Sequence, residues 1–272
     1  MACDEGEGMV VRSRENLPNG DVIVEFEGYK ELISSPTRKW SPSWWIYERG
    51  YYEKNVTEAV QRLLHPGDTA VDVGSNMGYY TVMIASMVGP TGRVIAFEPV
   101  REASRYLLGS AELNDFRHIE LFDCCLGAEN GTIAFDRASY RVNAAHRDSE
   151  RQLMVPIRAF DDMASELAPE RLALVKIDVE GAEFDVIQGM AGTIAEHRPH
   201  ILIEIHPEMI REFGHTAQEL LGRLEASGYR VTALEERGIC VDGPKSCHVH
   251  AWYTGGAGEP PRDRAGRKPV SS

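Results

Sequence analysis

The chain predicts an α/β fold, a mostly parallel sheet with helices on both faces. Three observations carry that prediction. From about residue 53 onward, short apolar runs rich in Val, Ile and Leu alternate with stretches of helical period. A tight glycine turn, "DVGSNMGYYT", joins the first of these runs to a helix, and Glu98 ends the next run. With 272 residues, 43% of them hydrophobic and 26% charged, the chain suits one large α/β domain with additions.

Residues 1–52 precede the alternation and form an N-terminal extension. It holds a strand-like "GDVIVEFEG" and an aromatic cluster, "KWSPSWWIYERGYY". Trp40, Trp44 and Trp45 serve there either as a wall or lid around a site or as packing against the core. The core domain is expected over 53–255. "TAVDV" is a short buried strand followed by a helix over "YYTVMIASMV". "GRVIAFE" is the second strand, "REASRYLLGSAELN" the second helix, and "HIELFDCCL" the third strand. "LALVKID" and "HILIEIH" are the fourth and fifth strands, with the helix "AEFDVIQGMAGTIAEH" between them. "TAQELLGRLEASG" is helical and stops at Gly228, a good C-terminal cap. "YRVTALE" and "CHVHAWYT" close the pattern. "GTIAF" and "LMVPIRAF" read as an added strand pair near 131–157, flanking a polar loop that contains His146.

The formal net charge of −13 disfavours phosphate-rich partners, so a nucleic-acid substrate is not expected. Arg262, Arg264, Arg267 and Lys268 collect in a Pro/Gly/Ser-rich tail, 256–272, whose composition reads as disordered and dispensable. No apolar run is long enough for a membrane span, and the acidic N-terminus lacks signal-peptide features, which makes the cytoplasm the expected compartment. The five cysteines suggest neither a disulfide framework nor a zinc site; Cys124 and Cys125 fall in an apolar strand as small buried thiols.

In open α/β sheets ligands bind at the carboxyl ends of the strands. The turn after "TAVDV" has Gly74 and Gly78, but Asn76 stands where a pyrophosphate fingerprint needs its middle glycine. Glu98, 24 residues after Gly74, can accept hydrogen bonds from both ribose hydroxyls and would repel a 2′-phosphate. The pairing points to a compact adenosine with a charged, non-phosphate substituent. S-adenosylmethionine (SAM) is such a ligand: its carboxylate suits a helix N-terminus, and its ammonium and sulfonium suit acidic surroundings.

These residues resemble a known family. The stretch "GYYEKNVTEAVQRLLHPGDTAVDVGSNMGYYTVMIASMVGPTGRVIAFEP" and the later "LVKIDVEGAEFDVIQGM" are similar to the FkbM-type SAM-dependent methyltransferases, over roughly residues 50–206. The resemblance implies a Rossmann-like class I methyltransferase fold with strand order 3-2-1-4-5-7-6, the seventh strand antiparallel. It also implies O-methylation of sugar or natural-product hydroxyls. Carried over, Asp72, Gly74, Ser75, Asn76 and Gly78 belong to the cofactor turn, with Gly74, Asn76 and Gly78 along the methionine end. Glu98 holds the ribose, and the segment from Asp123 through Cys124 to Leu126 lies near the adenine. Asp178 and Glu180 face the reaction centre.

Methyl transfer to a hydroxyl needs in-line alignment and gains from a base. Lys176 and Asp178 alternate onto one face of the fourth strand, as Glu204 and His206 do on the fifth. Lys176 and Glu204 are expected to form a deep structural pair. Asp178 and His206 sit at the rim, either one as the base, with Glu180 and Glu204 beside them. His248 and His250 read as structural. Asp178, Glu180 and Glu204 offer oxygen ligands, but carboxylates alone establish no cation site, and no metal ligand is assigned. The expected partner is a small-molecule acceptor. The alternatives are an N-methyltransferase, a nicotinamide-dependent oxidoreductase and a non-catalytic SAM-binding protein. The absence of [DN]-P-P-[YF] after the fourth strand argues against the first. The missing glycine and the lack of a Tyr/Lys pair in "KIDVEG" argue against the second.

Overall fold

The computed structural model describes residues 10–136, 141–142, 152–167, 171–236 and 238–255. His146 and the tail at 256–272 lie outside them. The extension begins with β1 (Val11–Asn16), β2 (Val22–Phe26) and β3 (Lys30–Ile33), an antiparallel sheet, followed by α1 (Pro42–Arg49). Sequence patterning had marked only the middle strand, because β1 is polar and largely exposed. Ser41 caps α1 by accepting a hydrogen bond from the Trp44 amide, and Pro42 occupies its first turn.

The core follows as α2 (Lys54–Leu63), β4 (Thr69–Val73), α3 (Tyr79–Val88), β5 (Arg93–Phe97), α4 (Arg101–Leu113) and β6 (Ile119–Phe122). The expected third strand is shorter than its apolar pattern. It ends at Phe122, and Cys125 and Leu126 form a separate strand, β7, which pairs with β10 (Gln152–Arg158). β8 (Gly131–Asp136) pairs antiparallel with β10 and also with β9 (Arg141–Val142), giving a second small sheet. After α5 (Phe160–Leu167) come β11 (Leu172–Ile177), α6 (Glu183–Gly189), α7 (Ala191–His197) and β12 (His200–Ile205). The single helix expected between β11 and β12 is broken at Met190, which leaves helical geometry at φ −112°. α8 (Pro207–Glu212), α9 (Ala217–Ala226), β13 (Tyr229–Ala233) and β14 (Cys247–Tyr253) complete the chain.

The main sheet has seven strands in the order β13-β14-β12-β11-β4-β5-β6, with β14 antiparallel to both neighbours. Numbered within the core, this is the 3-2-1-4-5-7-6 order read from the other edge. Alternation along each strand divides the core. Val71, Val73, Ile95, Phe97, Val175 and Ile177 face α5, α6, α7 and α9. Ala70, Val94, Leu174 and Leu202 face α2, α3 and the extension, where Val22, Phe26, Ile33 and Ile46 are buried. The extension is fastened to α4 by backbone satisfaction as well as packing. The Asn114 side chain accepts from the Lys30 amide at 2.7 Å and donates to its carbonyl at 2.6 Å. Among the described residues a disulfide, absent from the sequence expectation, joins Cys240 to Cys247 at the start of β14. No helix among the described residues is long and apolar enough to cross a membrane.

Candidate methyl-transfer site

A cavity of about 300 Å³ lies at the carboxyl ends of β4, β5, β11 and β12. Its donor-side wall is the turn after β4. Gly74 has φ +81°, and a methyl at its Cβ position would lie 1.9 Å from the Asp178 carbonyl oxygen. Glycine is required there because two strand ends converge. Asn76 takes φ +49°, a left-handed conformation that Asn tolerates better than most residues. That tolerance explains how the turn is made without the middle glycine.

Gly78, at φ +94°, does not line the cavity; a Cβ there would strike Leu107 of α4 at 2.6 Å. Its constraint is helix packing rather than ligand approach. Asp72 is also outside the cavity wall: it is fully buried and accepts a hydrogen bond from the Thr81 hydroxyl at 2.6 Å. Gly74, Ser75 and Asn76 line the cavity, together with Met77. The Ser75 hydroxyl is buried with no protein partner, which fits a polar ligand against this turn.

Glu98 is 5% exposed. Its two oxygens accept from the Asn76 and Val100 amides, each at 2.8 Å, so it braces the turn from the neighbouring strand. Each carboxylate oxygen keeps a second lone pair for a ribose hydroxyl. Burial pushes this carboxyl up to about 7, against the pull of the two amides. Cys124 and Cys125 line the cavity beside Glu98 and Pro99. Asp123 does not; it is exposed and pairs with Arg101 at 2.9 Å.

On the acceptor side, the cavity meets Lys176, Asp178, Glu180 and Glu204. Register brings Asp72 opposite Lys176 and Glu204 opposite His248. The buried Lys176 pairs with Asp178, Nζ to Oδ2 at 3.4 Å, rather than with Glu204 as the strand pattern suggested. Its ammonium also lies over the Tyr80 ring, 4.5 Å from the centroid. Burial opposes the Lys176 charge, but Asp178, Asp72, Glu53 and Glu204 outweigh it and raise its pKa. Burial raises the Asp178 carboxyl to about 7, with Lys176 opposing.

Glu204 instead stands between two histidines. His206 Nε2 is 3.4 Å from Oε1 and His248 Nε2 is 3.5 Å from Oε2. Although burial opposes it, these two rings hold the Glu204 carboxyl well below its usual range. His206 is 8% exposed and its Nδ1 contacts Glu183 Oε1 at 2.9 Å, with Glu180 Oε2 3.9 Å from its other nitrogen. Against burial, Glu183 and Glu204 push its pKa up to about 11. Glu180 itself sits at φ +54°, at the strand-to-loop turn.

The structure adds residues that strand patterning had not marked. Tyr52 and Tyr80 line the cavity, Glu53 accepts from the Tyr80 hydroxyl at 2.8 Å, and Glu183 orients His206. The one legible signal was the "GYYEKN" stretch containing Tyr52 and Glu53, but nothing local shows that it folds onto β11 and β12. Pro42 and Ile46 of α1 also reach the cavity wall. Trp40, Trp44 and Trp45 pack on one another with centroids 5.0–5.6 Å apart, and Trp40 is 69% exposed.

Residues 72–231 match the methyltransferase FkbM domain. The hexuronic acid methyltransferase AglP of Haloferax volcanii is 26% identical over 187 residues, covering 68% of this chain and 74% of that protein. The 2-O-methyltransferase NoeI of Sinorhizobium fredii is 27% identical over 161 residues, covering 52% of this chain and 65% of that one. The AMB antimetabolite synthetase AmbE of Pseudomonas aeruginosa is 26% identical over 230 residues; the match covers 68% of this chain but only 11% of that much longer protein. With the family match spanning more than half of its length, the chain belongs to the FkbM family of SAM-dependent methyltransferases.

Proposed function

We propose that the protein transfers the methyl group of SAM to a hydroxyl of a sugar or sugar-like small molecule, with Asp178 as the base. The observation that carries this reading is the continuity of the cavity. One wall is the Gly74–Met77 turn with Glu98, and the other is Asp178, Glu180 and Glu204 at the ends of β11 and β12. A donor held by the first wall presents its sulfonium towards the second, and in-line transfer needs little beyond that alignment.

Of the two rim residues, Asp178 is the better proton acceptor. His206, clamped between Glu183 and Glu204, is an imidazolium at neutral pH, and an imidazolium cannot accept a proton. Asp178 titrates near 7, where a general base is most effective. As the acceptor hydroxyl attacks the methyl carbon, its proton passes to the Asp178 carboxylate and the sulfonium leaves as a neutral thioether. His206 and Glu180 then serve to position the acceptor. A sugar acceptor is supported by two relatives with sugar or hydroxyl methylation in their names.

The test uses isotopically methyl-labelled SAM with a panel of uronic acids, glycosides, hydroxylated small molecules, amines and structured RNA, read by mass spectrometry. Label should enter a hydroxyl of a sugar-type acceptor. Asp178→Asn should lower that turnover by ~10²–10⁴-fold while SAM affinity survives. Label entering only amines or RNA, or near-normal turnover in Asp178→Asn, would overturn the assignment.

A further inference from the structure

Behind the cavity, a second group of side chains makes contacts that methyl transfer does not use. Glu53 from the start of α2, Glu204 of β12 and His248 of β14 place three ligand atoms within 4.8 Å of one another. The two nitrogens of His248 behave differently. Nδ1 closes to 2.6 Å on Glu235 Oε1, a short charge-assisted contact. Nε2 stands 3.3 Å from Glu53 Oε1 and 3.5 Å from Glu204 Oε2, makes no hydrogen bond to either, and is buried.

Those separations have a simple geometric meaning. Ligands about 2.0–2.1 Å from a tetrahedral ion are about 3.3–3.4 Å from each other, the edge of the tetrahedron. The surroundings also have the form of an outer shell. Glu235 on Nδ1 fixes the His248 tautomer that presents Nε2, and the Tyr80 hydroxyl fixes Glu53 through its other oxygen at 2.8 Å. The neighbouring group of Asp178, Glu204 and His206 converges too, but the Lys176 ammonium occupies Asp178 there.

We propose that Glu53, Glu204 and His248 bind one divalent cation of the Zn²⁺ or Mn²⁺ class, with Glu235 and Tyr80 as its supporting shell. The mixed imidazole and carboxylate donors favour such an ion over Mg²⁺ or Ca²⁺. The site ties the junction of the extension to two strands of the sheet. It also sets the orientation of Glu204, whose other oxygen faces His206. It meets the methyl-transfer cavity only at Glu204 and the supporting Tyr80, and does not depend on the identity of the acceptor.

The full chain, stripped with a chelator and dialysed, is titrated calorimetrically with Zn²⁺, Mn²⁺ and Mg²⁺. X-ray absorption is then recorded on the Zn²⁺ form. Expected are one Zn²⁺ or Mn²⁺ per chain, negligible Mg²⁺ binding, and an N/O shell at about 2.0–2.1 Å with no sulfur at about 2.3 Å. His248→Gln and Glu53→Gln should each lose ~10²-fold or more in affinity, and Glu235→Gln ~10–100-fold, whereas Asp123→Asn, exposed and outside the cavity, should keep it. Binding of S-adenosylhomocysteine by each variant certifies its fold. If His248→Gln or Glu53→Gln does not fold, Glu235→Gln carries the test. No stoichiometric binding, a sulfur shell, or unchanged affinity in the folded variants would overturn the proposal. Failure of sugar methylation with intact metal binding would count only against the acceptor assignment.

Discussion

Gly74→Ala tests the closest approach in the site. Gly74 has φ +81°, and the added methyl would sit 1.9 Å from the Asp178 carbonyl oxygen. A carbon and an oxygen in contact need about 3.3 Å, so the turn and the β11 end must part by about 1.4 Å. Left-handed backbone costs a non-glycine residue roughly 1–2 kcal/mol, and overpacking a tight contact adds about 1–3 kcal/mol. Together these predict a loss of about 2–5 kcal/mol. Gly214→Ala is the matched control: its φ is +83° with nothing within 4 Å, so it pays only the backbone cost. The assay is urea unfolding of both variants, with calorimetry of S-adenosylhomocysteine binding. Because the Asp178 amide bonds to the Val73 carbonyl at 3.0 Å, parting the strands also displaces Asp178. Turnover in Gly74→Ala should therefore fall by ~10²-fold even where the protein is folded. Equal destabilisation by the two substitutions would refute the argument from close approach.

If Glu98 holds the ribose, Glu98→Ala should weaken SAM binding by about 1–3 kcal/mol, since it also removes the brace on the Asn76 amide; unchanged calorimetric affinity in a folded variant would exclude that role. Glu31, 1% exposed with both oxygens unpartnered, has its pKa raised by burial to about 8. The folded state therefore holds a proton that the unfolded chain has lost above pH ~4.5, and stability falls as pH rises from there to about 8. Glu31→Gln should flatten that slope and be the more stable protein at pH 8 by roughly 4 kcal/mol, the two converging at pH ~4. Parallel wild-type and variant stability curves across that range would show that Glu31 does not govern it.

The parallel core was legible because its strands are buried on both faces. "TAVDV" and "LALVKI" are buried throughout and mostly apolar, and the helix over Tyr79–Val88 begins and ends at the glycines that bound it in the sequence. The tight turn through Asn76 was legible because strand end and helix start are adjacent along the chain. The third strand was overextended because apolar character alone does not show that Cys125 and Leu126 leave the main sheet to pair with β10.

Pairing across strands is not written locally. Lys176, Glu204 and His248 each alternate correctly within their own strands. Register alone puts Glu204 opposite His248, and with Glu204 drawn to the two histidines, Lys176 pairs with Asp178, its neighbour two residues on. The neighbours of His248, Glu53 and Glu204, are 195 and 44 residues away in the chain, so no local pattern shows that they meet. Local sequence thus determined most of the elements and the turn after β4. The electrostatics of the acceptor side came only from tertiary structure, because long-range register and shared burial decide which charges meet and which must share a proton.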